Sequence, residues 1–405
     1  MNVVIVGNGV AGVTAARVIR ERTPDAGISV YTREPYHYYY RPRLPEVLAG
    51  SLEIPDILAN PPEWYESRRI EVHLSRAVSS VDTAARRVVL DDGAAVPYDR
   101  LLIASGSDPF VPPIHGVTTP GVLSLRTADD ALAVRDWASR SNAAVVIGAG
   151  LLGLECARAL RTRGLEVTVV ENSGRLLPRQ LDERGAAVLE RFIEGLGISI
   201  ARRGKTVAVK GGSRVTGVEL EGGALLPADL ALCATGVRCS SGFLAGSGVE
   251  VDRGVVVDCD MRSSVPDVFA AGDVAVHNGR SWGIVPVALA QADAAGRSIA
   301  GDESPKRCEV VPSATLKITG VDVFSAGVPS CPDAACEEFV EEDADGRRYR
   351  KVVTKDGIVI GAIVIGSRKG VRELGAMIER AISVERHGEA IVREDFDYAA
   401  TLKAA

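Results

Sequence analysis

An α/β fold with two nucleotide-binding βαβ units and a separate C-terminal α+β unit is what this sequence predicts. Three observations predict it. The apolar run Val3-Val4-Ile5-Val6 leads straight into Gly7-Asn8-Gly9-Val10-Ala11-Gly12. In mid-chain, Ala144-Val145-Val146-Ile147 leads into Gly148-Ala149-Gly150-Leu151-Leu152-Gly153. After Pro305 the texture changes to short β-like runs and a late helix. One GxGxxG is a weak signal because glycine is common. Two copies, each after a buried-strand pattern and before a helical one, are much stronger. The first glycine allows the tight turn, the second lets the backbone approach a pyrophosphate, and the third lets helix and strand pack closely. The helix N-terminus then offers free N–H groups to phosphate. Two Rossmann-like sites imply two dinucleotides, and two dinucleotides side by side imply electron transfer between them.

The elements follow in order. A strand at Val3–Val6, a helix from Val10 to about Glu21 and a strand at Ile28–Tyr31 make the first βαβ unit. Arg87–Leu90 and Tyr98–Ala104 read as strands, the second ending at Ser105-Gly106. Ser107 to Gly121, rich in proline, reads as a crossover linker. A helix at Ala128–Ser139, a strand at Ala144–Ile147, a helix to Arg163 and a strand at Val167–Val170 make the second unit. Thr206–Val209 and Val215–Leu220 look like an inserted β-meander. Leu230–Ala234 runs into Thr235-Gly236, echoing Ala104-Ser105-Gly106. Val265 to Asp273 precedes a helix from Val287 to about Ile299. Thr315–Ile318, Arg348–Val353 and Ile358–Ile365 then read as strands before a helix near Val371–Ile382, with Glu337 to Arg350 a solvated hairpin surface. The expected domains are 1–110 with 240–305, an inserted 111–239, and 306–405.

Composition narrows the class. At 405 residues, 46% hydrophobic and 25% charged, the chain reads as a soluble globular protein of two to three domains. A net charge of −6 argues against bulk nucleic-acid binding. No signal peptide is evident, and no apolar run reaches the roughly 18 residues a membrane span needs, so a cytoplasmic location with no membrane contact is expected. Seven scattered cysteines form no CxxC. Cys331 and Cys336 have redox-compatible spacing, but their Pro- and Asp-containing context reads as an ordinary loop. The five histidines show no ligand spacing, so no metal is expected.

A carboxylate about twenty residues after each glycine turn is expected to bond a ribose hydroxyl. Glu171 fills that place after the second turn and favours NADH over NADPH, although Arg175 and Arg179 lie near. After the first turn Thr32 stands where the carboxylate is usual, leaving Thr32 or Glu34 for the adenosine ribose.

With these motifs in this order, the chain resembles the FAD-dependent pyridine nucleotide-disulfide oxidoreductase superfamily over essentially its whole length. The matching residues are the first GxGxxG, Ala104-Ser105-Gly106, the second GxGxxG with Glu155, Ala234-Thr235-Gly236 and Ala271-Gly272-Asp273. The resemblance implies a glutathione-reductase-like fold and two cofactors, FAD and NADH. It places the FAD phosphates on Gly7, Gly9, Ala11 and Gly12. Thr32, Arg33, Arg41, Pro42, Val78, Ala104, Ser105, Gly106 and Arg126 are further cofactor-binding positions, with the Arg41 cluster beside the flavin pyrophosphate. Gly272 and Asp273 meet the ribitol, and Val285, within Trp282 to Pro286, covers the pyrimidine side. For Arg126 a surface ion pair is the competing reading. NADH is placed on Gly148, Gly150, Leu152, Gly153, Glu171 and Gly236. Glu155 resembles a family glutamate beside the nicotinamide, with a helix-start carboxylate as its plainer role.

Within the superfamily, disulfide reductases and water-forming oxidases carry a redox cysteine near the first unit, and this chain has none before Cys156. Its Arg41-Pro42-Arg43-Leu44-Pro45-Glu46 puts Glu46 where oxygenase-coupled ferredoxin reductases carry a lysine beside the flavin. That version is similar to NADH:rubredoxin oxidoreductases and to the NADH-oxidising part of assimilatory nitrite reductases, as is Leu316 to Ser325. With no cysteine cluster or sirohaem region before Ala405, a standalone reductase is expected. Hydride would pass from NADH to FAD, with Glu155 and Glu46 as the candidate catalytic residues. Single electrons would then pass to a small acidic redox protein such as rubredoxin, received at a basic patch including Arg41 or Arg43. The alternatives are a peroxide-forming NADH oxidase and a non-catalytic flavin sensor; a monomer and a homodimer both remain open.

Overall fold

The computed structural model describes residues 1–304, 313–318, 321–331 and 333–404. The expected boundary at Pro305, Cys308, and Thr319-Gly320 of the late motif lie outside the described residues. The first unit runs β1 (Asn2–Val6), α1 (Val10–Arg22), β2 (Gly27–Tyr31), α2 (Leu44–Ala49), α3 (Pro62–Glu66), β3 (Ile70–His73), β4 (Val78–Asp82), β5 (Arg87–Leu90), β6 (Ala95–Pro97) and β7 (Arg100–Ile103). Next come β8 (Ser107–Pro109), β9 (Val122–Ser124), α4 (Ala128–Ala138), β10 (Ala143–Ile147), α5 (Leu151–Thr162), β11 (Glu166–Glu171), α6 (Glu183–Gly195), β12 (Ile198–Arg202), β13 (Thr206–Gly211), β14 (Val215–Leu220), β15 (Leu225–Pro227) and β16 (Leu230–Cys233). The chain then returns through β17 (Val237–Cys239), β18 (Val255–Val257), β19 (Val268–Ala270), β20 (Ala275–His277) and α7 (Val285–Ile299). The last part holds β21 (Ser313–Ile318), β22 (Val321–Gly327), β23 (Cys336–Glu342), β24 (Tyr349–Lys355), β25 (Ile358–Ile365), α8 (Val371–Glu379) and α9 (Tyr398–Ala404).

Two five-stranded parallel sheets repeat one layout. The first has the order β19-β7-β1-β2-β3 and the second β9-β16-β10-β11-β12. Both central strands are apolar runs with buried side chains, as a sheet covered on both faces requires. In each sheet the strand order reverses beside the first strand, β1 or β10. That is where a crevice opens at the strand C-termini, and both glycine turns sit there. A third sheet, β21-β22-β25-β24-β23, is antiparallel, and α8 packs on its strands β22 and β25. Among the described residues no helix is long and apolar enough to cross a membrane.

Several sequence expectations are corrected in detail. The proline-rich segment is more than a linker: β8 pairs antiparallel with β17, so the outgoing and returning connections zip together. The strand expected at Tyr98–Ala104 is Arg100–Ile103, after the β5–β6 hairpin ends at Pro97. The helix expected from Val287 begins at Val285, since Pro286 suits a first helical turn. The late helix stops at Glu379, and Ala381 turns left-handed at φ +52°. Cys336 is not in a loop; it opens β23.

Candidate functional site

The two glycine turns are built alike. Gly7 has φ +111°, and a Cβ there would stand 2.2 Å from the Ala104 carbonyl oxygen; one on Gly12 would stand 2.0 Å from that of Gly7. Gly148, at φ +109°, would meet the Ala234 oxygen at 2.5 Å, and Gly153 the Gly148 oxygen at 2.1 Å. These four glycines are required by the chain's contacts with itself. A Cβ on Gly9 or Gly150 would meet nothing within 4 Å. The middle glycine of each turn therefore keeps the backbone open to something other than the chain. Gly9 caps α1 and Gly150 caps α5, with no side-chain cap and no acidic residue in either first turn. Both helix ends keep orphan N–H groups and a positive dipole end. Beside the first turn, Asn8 takes a 3.0 Å hydrogen bond from the Tyr65 hydroxyl, while its buried Nδ2 has no partner among the described residues. These features fit a dinucleotide pyrophosphate at each turn.

Opposite the first turn lies Gly272-Asp273. Gly272 takes φ +83°, and a Cβ on it would lie 2.9 Å from that of Ala11. Its N–H donates to buried Gln291 of α7 at 3.0 Å. Helix α7 packs along α1, with Gly296 against Val18, and starts at Val285 without a side-chain cap. Two helix N-termini thus flank Gly272. The Asp273 carboxylate accepts from Ser107 Oγ at 2.9 Å and pairs with Arg126 at 2.8 Å, while Arg126 Nε donates to the Ser107 carbonyl at 2.9 Å. The Asp273 carbonyl takes bonds from Cys239 Sγ at 3.0 Å and Ser281 Oγ at 2.9 Å. Arg126 is therefore an inner partner of Asp273 rather than a surface ion pair. Sequence reasoning missed Ser107, Cys239 and Ser281; the β8–β17 pairing brings in Ser107 and Cys239, and Ser281 reaches back from the loop after β20.

The segment after β2 forms a second cluster. Arg41 pairs with Glu34 at 2.5 Å, and donates to the Tyr39 hydroxyl at 2.7 Å and the Arg126 carbonyl at 3.1 Å. Tyr39 donates to the same Glu34 carboxylate and accepts the Ala128 N–H at 3.0 Å. Burial pushes the Tyr39 hydroxyl well above its ordinary pKa, so it stays protonated and donates. Glu34 is thus engaged by Arg41 and Tyr39, and buried Thr32 is left as the polar group at the end of β2. The Thr32 carbonyl accepts the Arg76 N–H at 2.8 Å, which brings Val78 alongside. Arg33 pairs with Asp108 of β8, and Pro42 sits in the short turn before α2.

At the second turn, Glu171 closes β11. Its carboxylate accepts the Ala149 N–H at 3.0 Å and the Ser173 N–H at 2.7 Å, so it lies against the glycine turn with lone pairs to spare. Gly236, at φ +111°, follows β16, and Leu152 is exposed in the first turn of α5. Glu155 is partly buried one turn into α5. Helix α2 packs on α5, with Val47, Leu48, Leu154 and Cys156 buried in one apolar cluster, which brings the helices of Glu46 and Glu155 together. Glu46 itself is exposed and pairs with Arg43 at 2.5 Å. Arg41 and Arg43 do not form the expected basic patch, because each guanidinium already faces a carboxylate. Two exposed cations instead flank the Asp273 loop: Arg238 lies over the Phe110 ring at 4.3 Å and Arg280 over Trp282 at 5.7 Å.

Residues 1–292 match the family described as pyridine nucleotide-disulphide oxidoreductase. The chain belongs to that family. Residues 312–382 match the rubredoxin NAD+ reductase C-terminal domain. A pyridine nucleotide-disulphide oxidoreductase uses FAD and a nicotinamide dinucleotide, in keeping with the two cradles. The chain is 34% identical over 384 residues to a nitrite reductase [NAD(P)H] of Bacillus subtilis, covering 94% of this chain and 47% of that protein. It spans about half the length of the first curated relatives it matches. It is 30% identical to the NADH-rubredoxin oxidoreductase of Clostridium acetobutylicum, covering 94% of both. The reductase of a covalent putidaredoxin reductase–putidaredoxin complex superposes with a TM-score of 0.90 at 25% identity, over 100% of this chain and 98% of that one.

Proposed function

We propose that the chain is an FAD-dependent NADH oxidoreductase that passes electrons singly to a small acidic redox protein of the rubredoxin type. The observation that carries this reading is the pair of matched glycine cradles, each opening at an uncapped helix end. Bound FAD supplies the exchange between a two-electron donor and a one-electron acceptor. The chain's own residues bind and orient. The Gly7, Gly9, Ala11 and Gly12 turn takes the FAD pyrophosphate, with Thr32, Arg33 and Val78 toward the adenosine. Asp273, held by Ser107 and Arg126, takes the ribitol beside Gly272, and Ala104, Ser105, Gly106, Arg41 and Pro42 line the same crevice. The N-terminus of α7 at Val285 covers the flavin's pyrimidine side. Gly148, Gly150, Leu152, Gly153 and Gly236 hold NADH, with Glu171 accepting from its ribose, and Glu155 and Glu46 stand on paired helices near the nicotinamide. Arg238 and Arg280 supply the cationic face that an acidic acceptor meets. The units follow the boundaries 1–110 with 240–305, 111–239 and 306–405.

The test is stopped-flow reoxidation of the NADH-reduced protein, with rubredoxin under argon and with air-saturated buffer in parallel. Fast reduction of rubredoxin with slow loss to oxygen is expected. Faster loss to oxygen makes the protein an oxidase. Slow transfer to every acceptor, with an oligomer shift on adding NADH, makes it a sensor.

A further inference from the structure

The segment between Glu171 and α6 is shaped by the C-terminal sheet. Residues 172–182 leave β11 with the Ser173 N–H on the Glu171 carboxylate, and Ser173 Oγ donates to the Arg175 carbonyl at 2.8 Å. The loop then buries Leu176, Leu177 and Leu181, and Leu177 does so at φ +48°, a backbone state that a branched side chain holds only when its surroundings enforce it. Those surroundings come from far along the sequence. Ser325 Oγ, on β22, donates to the Gln180 carbonyl at 2.7 Å. Tyr349 and Lys351, both on β24, bond the Asp182 carboxylate at 2.6 and 2.9 Å. Asp182 in turn caps α6 through the Gly185 N–H at 2.9 Å. The Lys351 side chain is 2% exposed, and its ammonium also meets Glu338 at 2.9 Å.

We infer that Lys351, Tyr349 and Ser325 are positioning residues for NADH, setting the loop that places Glu171 against the ribose and holds Arg175 and Arg179 back from it. The inference rests on the reading that the Gly148–Gly153 cradle binds NADH. The Lys351 ammonium bridges Asp182 and Glu338. Without it two carboxylates face each other across the join between loop and sheet, and the loop end is pushed away. Its other end carries the Ser173 N–H that orients Glu171, so slack at Asp182 is felt at the ribose. Arg175 and Arg179 then gain freedom to approach a 2′-phosphate, and the preference for NADH over NADPH falls.

The test compares the FAD-loaded wild-type protein with Lys351→Met, Lys351→Arg, Ser325→Ala and Glu171→Ala. The readouts are calorimetric dissociation constants for NAD+ and NADP+, and KM and kcat for NADH with ferricyanide. FAD content and Tm report on folding. Lys351→Met should weaken NAD+ binding roughly tenfold and raise KM in step, with kcat within about twofold and NADP+ affected less. Ser325→Ala should act in the same direction by about threefold, and Lys351→Arg should restore most of the affinity. If Glu171→Ala weakens NAD+ while Lys351→Met and Ser325→Ala leave it within twofold, with or without a drop in Tm, the inference is overturned and the cradle reading stands. If Glu171→Ala also leaves NAD+ binding unchanged, the cradle reading falls and takes the inference with it.

Discussion

Replacing Gly150 by alanine separates what the second glycine turn does for the fold from what it does for a ligand. Gly150 sits at φ −73° and ψ 177°, which any residue adopts, and a Cβ there meets no atom within 4 Å. Alanine is a poorer N-cap than glycine by a few tenths of a kcal/mol up to ~1 kcal/mol. Lower backbone entropy in the unfolded chain offsets about 0.4–1 kcal/mol of that. Stability should therefore stay within about 0.5 kcal/mol of wild type. On the proposed reading, the new methyl group stands where the backbone meets a pyrophosphate. Losing one charge-assisted N–H bond to phosphate weakens binding by about 1.5–3 kcal/mol. At 1.4 kcal/mol per tenfold that is roughly 10- to 140-fold in the NADH dissociation constant. Gly153→Ala is the contrast. Its Cβ falls 2.1 Å from the Gly148 oxygen and 3.3 Å from Ala234, so the turn must move. Overpacking of that kind costs about 1–3 kcal/mol, and Tm falls with it. The assay is calorimetric titration with NAD+ beside thermal unfolding, with flavin absorbance as the control for FAD. Gly150→Ala with unchanged Tm and an unchanged NAD+ constant would refute the assignment of this turn to the nucleotide.

Further predictions address other parts of the site. Glu171→Arg should weaken NADH binding more than NADPH binding; an unchanged preference, read from kcat/KM with each nucleotide, removes Glu171 from the ribose. Arg41→Ala strands the Glu34 carboxylate beside Tyr39 and should lower stability by about 3–5 kcal/mol, less if water reaches it, as measured by urea unfolding. Burial tends to raise the Asp182 carboxyl, but bonds from Tyr349, Lys351 and the Gly185 N–H outweigh it and hold the group below the ordinary 3.8. A lowered carboxylate stabilises the fold fully above the unfolded pKa, and that stability is lost as pH falls through the folded one. The Tm advantage of wild type over Asp182→Asn should therefore be constant above about pH 5 and shrink below pH 4; an advantage that is flat down to pH 2 would sink that account.

Much of this protein is legible locally. A run such as Val3–Val6 or Ala144–Ile147 announces a strand buried on both faces, and the glycine spacing behind it states the turn, because both depend on neighbours a few residues apart. Glu171 is legible for the same reason, since strand length fixes its distance from the turn. Short or irregular pieces are not. Helix α2 has too few residues for a periodic signal, and β8 hides among prolines because its pairing partner, β17, is over a hundred residues away. The roles of charged residues are the least legible. Arg41, Arg43 and Arg126 look alike in sequence, yet one locks Glu34, one pairs on the surface with Glu46, and one holds Asp273.

The sequence by itself determined the two cradles, their acidic partner at Glu171 and the family they belong to, because each is written in a few consecutive positions with strict steric needs. Only the tertiary structure decided which charges are free and what braces the loop beyond Glu171. Lys351 reaches Asp182 across 169 positions of chain, and such a pairing follows from how the sheets meet, which no local pattern encodes.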